Sequence, residues 1–590
     1  MALLTPSFRR RETRWALGLA LLGLCLLAFF FVPVNARRGE REVSPATTPQ
    51  TERYVGFSVF GPDWPMERDF ADERERLVYI EEQGYLVAQH TSRLSGNLVR
   101  VPISVWDVLG QNAAVDPDSA ATPVYQLDDA AVSATLEKVQ AALDASLTAL
   151  NKGQDVAGNP LRWHGWDAFF SGIQRYNTEV TANVSLQSQP VFVDLLLTEL
   201  TPTLIIEAPA TVIMPQPTSY VAGGRLWGAY RQLHITFIRK LIQRYGRGYA
   251  TTDVHAQIPV AAAVEMFNEP DYNWLPDEAK IEKALNPDAY PCDKYITQLH
   301  LPQIPENDLP VKGCVRRPFF YQEQDLGLPS VHTPLRDFRW GRKFDKYVAT
   351  FADLHEHTSF AARDEIQRGG ADMAVVSSAV THVNIDWFVR MFRANPNAFR
   401  YVDKIAIHPY HWPRHDIHDM HFIGQQPEKD WRLVDPREFA RDYFKRFDFI
   451  QQLAELVAQP DLGKSYGLSG KPLWITEFGI PTKKLGKANA GLPRDWKIFI
   501  YDRASPIPEG MPALVWEEKW EAFLNQVSTD FLRQRHVETF LIYTLRESAG
   551  NETNDDNHSN FALYRPDWSC RLAPDVLSRL TDFFLSFRGE

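Results

Sequence analysis

The chain has 590 residues, of which 44% are hydrophobic and 23% charged, and carries a formal net charge of −11. That is an ordinary globular composition with ample material for a core. The acidic balance argues against a nucleic-acid partner, because phosphate binding wants a basic face.

The N-terminus stands apart from the rest. The 20 residues from Trp15 to Val34 contain no charge, which is the length that crosses a bilayer core as a helix. Arg9, Arg10, Arg11 and Arg14 precede this run, so the positive-inside rule places the short N-terminus in the cytoplasm and the remainder outside. The expected organisation is a cytoplasmic segment over 1–14, a transmembrane signal-anchor over 15–34, a polar tether over 35–53 and a folded domain over 54–590. A cleaved signal peptide ending at Val34-Asn35-Ala36 is the competing reading and would make the protein secreted, although the apolar run is longer than a usual signal core. Of the four cysteines, Cys25 lies in the apolar run and Cys570 stands alone near the C-terminus. Cys292 and Cys314 bracket a proline-rich loop. In an exported domain they are a disulfide candidate, with two unpaired thiols as the alternative. No Cys or His cluster has good zinc spacing, and no cofactor is implied.

Eight apolar, β-rich runs follow, at 54–60, 96–104, 201–209, 258–270, 371–379, 402–410, 471–479 and 537–545. Continuous apolar runs of this kind read as strands covered on both faces, as in a parallel sheet. Helical periodicity lies between them. It covers 128–150, with Asp128 or Asp129 as the cap, then 225–246, with Gly246 as the stop, and then 344–367 and 436–459. Strands alternating with helices predict a (β/α)8 TIM barrel of the α/β class. An open doubly wound sheet with an appended domain fits the count as well, but no glycine-rich phosphate loop follows the first strand. The connections over 271–338, 411–436 and 481–515 are long, and in a barrel such βα loops wall the mouth where chemistry takes place.

A polar residue at the C-terminal end of a barrel strand points into that mouth. The fourth run ends in Phe267-Asn268-Glu269-Pro270, which puts Glu269 at the rim. Glu265 lies four residues earlier, on the same side of an ideal strand but one layer deeper. A carboxylate at that depth must be paired, so Glu265 is expected to be buried and supporting. The seventh run, Trp474-Ile475-Thr476-Glu477-Phe478-Gly479, delivers Glu477 to the mouth as well. Two glutamates across one barrel are what retaining glycoside hydrolysis needs, with carboxyl groups about 5–5.5 Å apart.

These two motifs resemble those of glycoside hydrolase clan A, the retaining (β/α)8 glycosidases, most of all family 39 and then family 5. The resemblance spans roughly residues 54–590, and only its strand-end motifs are specific. It implies Glu269 as the acid/base and Glu477 as the nucleophile, with Asn268 donating to the substrate's 2-hydroxyl. Arg100 resembles the clan's second-strand arginine, where a cation keeps Glu477 ionised. His408 and Tyr410 resemble the sixth-strand His-x-Tyr that orients the sugar or bonds the nucleophile. Tyr543 stands where the clan usually has a Trp as a floor for the sugar. Trp64, Trp274 and Trp412 follow strand ends as candidate stacking surfaces. The expected activity is cleavage of an extracytoplasmic polysaccharide or glycoconjugate. A carbohydrate-binding scaffold protein and a transglycosylase are the rivals.

Overall fold

The computed structural model describes residues 53–60, 62, 70–110, 129–183, 188–198, 225–250, 257–270, 320–323, 331–334, 341–381, 385–409, 467–479, 537–546, 562–570, 572 and 574–589. All lie within the compact unit Pro45–Glu590. The apolar segment 15–34, Cys292, Cys314, Tyr410, Trp64, Trp274, Trp412 and the helical pattern over 436–459 fall outside the described residues. Among those residues no helix is long and apolar enough to cross a membrane.

The central feature is one parallel sheet built from β1 (Tyr54–Ser58), β2 (Leu98–Ser104), β3 (Phe192–Thr198), β4 (Ala261–Glu265), β7 (Ala374–Val376), β8 (Val380–Thr381), β9 (Ile405–His408), β10 (Leu473–Phe478) and β11 (Val537–Tyr543). Their order is β7-β4-β3-β2-β1-β11-β10-β9-β8. β7 pairs with β4, β8 pairs with β9, and Val376 bridges to Lys404 just ahead of β9. β7 and β8 are therefore two pieces of one barrel strand. Counted so, eight parallel strands run around a nearly closed barrel, the arrangement that alternating β and α runs predict. A separate antiparallel pair, β5 (Phe320–Glu323) and β6 (Val331–Pro334), lies in the long connection after β4.

The third strand is displaced from the sequence expectation. β3 occupies Phe192–Thr198, not 201–209, and the latter stretch lies outside the described residues. Asp194 explains the misreading, because a carboxylate in third place interrupts the apolar run Phe-Val-Asp-Leu-Leu-Leu-Thr. That carboxylate is buried and faces inward, so the break in the pattern belongs to the site and not to a loop.

Strand alternation sorts the side chains into two apolar layers. Val55, Phe57, Val99, Val101, Ile103, Val193, Leu195 and Leu197 face outward into the core shared with the helices. Tyr54, Leu98, Ala263, Val376, Ala406, Trp474 and Leu541 form a second cluster inside the barrel. Toward the C-terminal strand ends the inward residues turn polar: Ser58, Arg100, Asp194, Glu265, Thr476 and His408 are all buried. At the opposite end Lys404 and Glu538 form a buried ion pair at 2.5 Å.

The helices are α1 (Glu73–Arg93), α2 (Val105–Leu109), α3 (Asp129–Lys152), α4 (His164–Ala182), α5 (Arg225–Tyr245), α6 (Gly341–Gly369), α7 (Ile385–Ala394) and α8 (Pro574–Arg588). Asp72 caps α1 by accepting from the Glu75 amide at 2.8 Å, and Ser104 with Asp107 forms a reciprocal capping box on α2. α1 and α4 meet backbone to backbone. A Cβ on Gly84 would stand 1.9 Å from the Phe169 carbonyl oxygen, and one on Gly172 would stand 1.9 Å from that of Glu81. α8 folds back onto the first strand, where Phe584 packs on Phe57 with ring centroids 5.6 Å apart. Arg53 donates to the Phe587 carbonyl at 2.8 Å, tying the two ends of the barrel together.

Candidate active site

The site begins with strand register. Ser58 lies opposite Arg100 across β1 and β2, and Arg100 lies opposite Asp194 across β2 and β3. Glu265 pairs in register with Leu196, two residues further along β3. Polar residues that are far apart in the chain thus enter one layer of the barrel interior.

Arg100 is the hub. Its Nε and Nη2 donate to the two oxygens of Glu265, each at 2.8 Å, in a bidentate fork. Nη2 also donates to Asn268 Oδ1 at 2.9 Å, and Nη1 donates to Glu477 Oε1 and reaches Ser58 Oγ at 3.5 Å. Burial by itself would lower the Arg100 pKa, but the charges of Glu265 and Glu477 and the hydrogen bonds to Glu265 outweigh it and push the guanidinium upward. It is a permanent cation whose own side chain is sealed from solvent. Glu265 is the paired, buried carboxylate that its depth on β4 predicts, and it also accepts from Thr476 Oγ1 at 3.3 Å.

Both glutamates reach the mouth through irregular backbone. After β4 the chain turns sharply, with φ at +67° for Phe267 and +44° for Glu269. This left-handed region is costly for residues with a Cβ, about 1–3 kcal/mol each, and persists only where the surroundings impose it. Here Met266 donates its amide to the Val376 carbonyl at 3.1 Å and Phe267 packs against Phe351 with centroids 5.8 Å apart, which holds the turn. On β10 the pairing with β11 slips between Ile475 and Phe478, where three steps on one strand meet two on the other. Such a bulge re-aims side chains. It lets Thr476 and its immediate neighbour Glu477 both turn into the barrel, which strict alternation forbids.

His408, at the end of β9, lies between the two glutamates. Its Nδ1 is 2.7 Å from Glu269 Oε1 and 3.8 Å from Glu477 Oε2, while Nε2 is 3.1 Å from Thr476 Oγ1. Burial lowers the imidazole pKa to about 4, with Arg100 acting in the same direction and Glu477 and Glu265 opposing, so the ring is neutral at neutral pH. One oxygen of Glu269, one oxygen of Glu477 and a His408 ring nitrogen all lie within 4.8 Å of one another. The two carboxylate side chains keep 16% and 12% of their surface open to solvent, whereas Arg100, Glu265 and His408 keep 1% or less. The reactive atoms are therefore presented at the floor of the mouth, and their supports are sealed below.

Asp194 completes the buried layer. The Arg100 N–H groups point to Glu265, Asn268, Glu477 and Ser58, and none goes to this carboxyl. Burial, followed by the neighbouring Glu265 charge, pushes its pKa well above the usual carboxylate range against the pull of Arg100. Neither of its buried oxygens has a hydrogen-bond partner.

The sequence reading and the structure compare residue by residue. Arg100, Asn268, Glu269, His408 and Glu477 lie in one cluster. The His408 contact goes to Glu269 at hydrogen-bond distance, and Glu477, one of the two partners that the resemblance offered beside the sugar itself, is the more distant neighbour. Tyr543 closes β11 opposite Ser58 and packs edge-on against Phe60, with centroids 5.9 Å apart. Ser58, Asp194 and Thr476 escaped the sequence reading. Thr476 lay inside the quoted motif, but a mid-strand threonine carries no signal of its role. Asp194 had one, a lone carboxylate in an apolar strand.

No protein-family profile and no curated protein matches the sequence. Several solved structures are similar to the chain at low identity. An exo-β-1,4-mannosidase from Opitutaceae bacterium strain TAV5 is 11% identical with a TM-score of 0.36, over 90% of this chain and 59% of its own length. A β-glucosidase from Pyrococcus furiosus is 10% identical with a TM-score of 0.38, over 92% of this chain and 96% of its own. A β-glycosidase from Thermosphaera aggregans is 9% identical with a TM-score of 0.40, over 92% and 97%.

Proposed function

We propose that the protein is a retaining glycoside hydrolase that cleaves O-glycosidic bonds of an extracytoplasmic polysaccharide or glycoconjugate, tethered through residues 15–34. The observation that carries the reading is the approach of one Glu269 oxygen and one Glu477 oxygen to within 4.8 Å. Retaining enzymes need carboxyl groups about 5–5.5 Å apart, whereas inverting enzymes need about 6.5–9.5 Å to admit a water between carboxylate and sugar.

In the first step Glu477 attacks the anomeric carbon and forms an ester bond as the glycosidic C–O bond breaks. Glu269 gives its proton to the departing oxygen. In the second step Glu269, now a carboxylate, takes a proton from water, and the water oxygen displaces Glu477 from the same carbon. Arg100 favours the carboxylate form of Glu477 before attack and stabilises it again as it leaves. Asn268 is anchored through its Oδ1 to Arg100, and its amide N–H2 is the kind of group that donates to a sugar hydroxyl.

The test is a Glu477→Gln variant together with a panel of 2-fluoro and epoxide glycosides. Turnover should vanish in the variant, and the wild-type protein should acquire a covalent sugar at Glu477. Full turnover in the variant sinks the proposal. Covalent labelling excludes a purely carbohydrate-binding role.

A further inference from the structure

The hydrogen bonds beneath Glu269 have a direction that can be worked out donor by donor. The Arg100 fork makes Glu265 a carboxylate that can only accept. Thr476 Oγ1, 3.3 Å from Glu265 Oε1, gives its single proton there. Its oxygen then has only lone pairs to offer His408 Nε2 at 3.1 Å, so Nε2 carries a ring proton. A neutral imidazole protonated at Nε2 has a bare lone pair at Nδ1. That lone pair faces Glu269 Oε1 at 2.7 Å, a distance that demands a proton between the two atoms. Among the described groups at this nitrogen, Glu269 is the one that can supply it.

We propose that Thr476 is a positioning residue which, through the tautomer of His408, holds Glu269 in its proton-bearing form before substrate arrives. The importance of that proton rests on the glycosidase reading, but the hydrogen-bond chain does not. The charged and titratable groups facing His408 are Glu269 and Glu265 from β4 and its end, Glu477 from β10 and Arg100 from β2, and burial keeps the ring neutral among them. The same chain serves the second half of the reaction. Once Glu269 has released its proton, its carboxylate confronts the Nδ1 lone pair at short range. That repulsion favours recovery of a proton from the incoming water, which restores the starting arrangement.

The direct test needs no substrate. The full chain is labelled with [13Cδ2, 15N]-histidine, and the His408 signal is identified by its loss in His408→Gln. The expected signature is the neutral Nε2–H tautomer across neutral pH. Thr476→Ser should preserve it, and Thr476→Val, which removes the hydroxyl at constant shape, should shift it toward Nδ1–H. An Nδ1–H or imidazolium signal in the wild type overturns the proposal, as does an unchanged Nε2–H signal in Thr476→Val. Should the valine variant fail to fold, the wild-type signal still decides. Failure of the glycosidase reading would register separately, as turnover surviving in Glu477→Gln.

Discussion

Replacing Asp194 with Asn probes the buried layer under the site through its pH dependence. In the folded chain the Asp194 carboxyl is held well above its ordinary value of 3.8 by burial and by Glu265. In the unfolded chain it titrates near that ordinary value. Between the two values the folded state binds one proton more than the unfolded state, so stability falls as pH rises. The contribution is complete below the unfolded value and is lost upward through the folded one. The slope is about 1.4 kcal/mol per pH unit, set by 2.303RT for one proton. Asn is nearly isosteric and does not titrate. The stability of Asp194→Asn relative to wild type should therefore climb by about 1.4 kcal/mol per pH unit from the unfolded value up to the folded one. A constant offset on the order of 1 kcal/mol is expected from burying an amide in place of the carboxyl. Urea unfolding of both proteins at matched pH steps measures the difference, and every other titrating group cancels. A difference that stays flat, or that turns against the variant as pH rises, means that Asp194 is ionised and paired, and the account of the layer fails.

Further predictions concern the hub, the reactive pair and the scaffold. Arg100→Leu strands Glu265 in the interior without its cation and should cost about 3–5 kcal/mol in urea unfolding; a loss below 1 kcal/mol would mean that the fork contributes little. Glu269→Gln should lose turnover on substrates with poor leaving groups more than on activated aryl glycosides, since only the former need the proton, and equal losses would remove Glu269 from the acid role. Gly172→Ala drives a methyl onto the Glu81 carbonyl at the α1–α4 contact and should destabilise by about 1–3 kcal/mol, read from the thermal midpoint at constant activity per folded molecule. Phe584→Ala opens a cavity where α8 meets β1 and should cost about 3–5 kcal/mol by the same measurement.

Much of the barrel was legible from local pattern. Apolar runs bounded by turn residues marked seven of the eight barrel strands, and 225–246 was read as a helix stopped by Gly246 where α5 covers Arg225–Tyr245. Glu269 and Glu477 were legible because a strand end has a defined position in a barrel, so a polar residue there has a predictable destination. Each of these is a property of a few neighbouring residues, and a linear reading can see it. β3 was missed for the complementary reason. Asp194 makes its own strand look interrupted, and only a partner from another strand accounts for a carboxyl at that depth.

Register and irregularity decided the rest. The slip between Ile475 and Phe478 turns Thr476 and Glu477 to the same side, which no alternation rule foretells. The left-handed turn at Phe267 and Glu269 brings the Glu269 carboxylate to His408, which stands 139 positions away in the chain. Which nitrogen of His408 bears a proton depends on Thr476, Glu265 and Arg100, contributed by three different strands. By itself the sequence determined which residues have the chemistry to act, because side-chain type and strand position are local. The closed sheet decided which of them act on one another, because hydrogen bonds between buried groups are set by distances of a few ångströms that only the register of all eight strands defines.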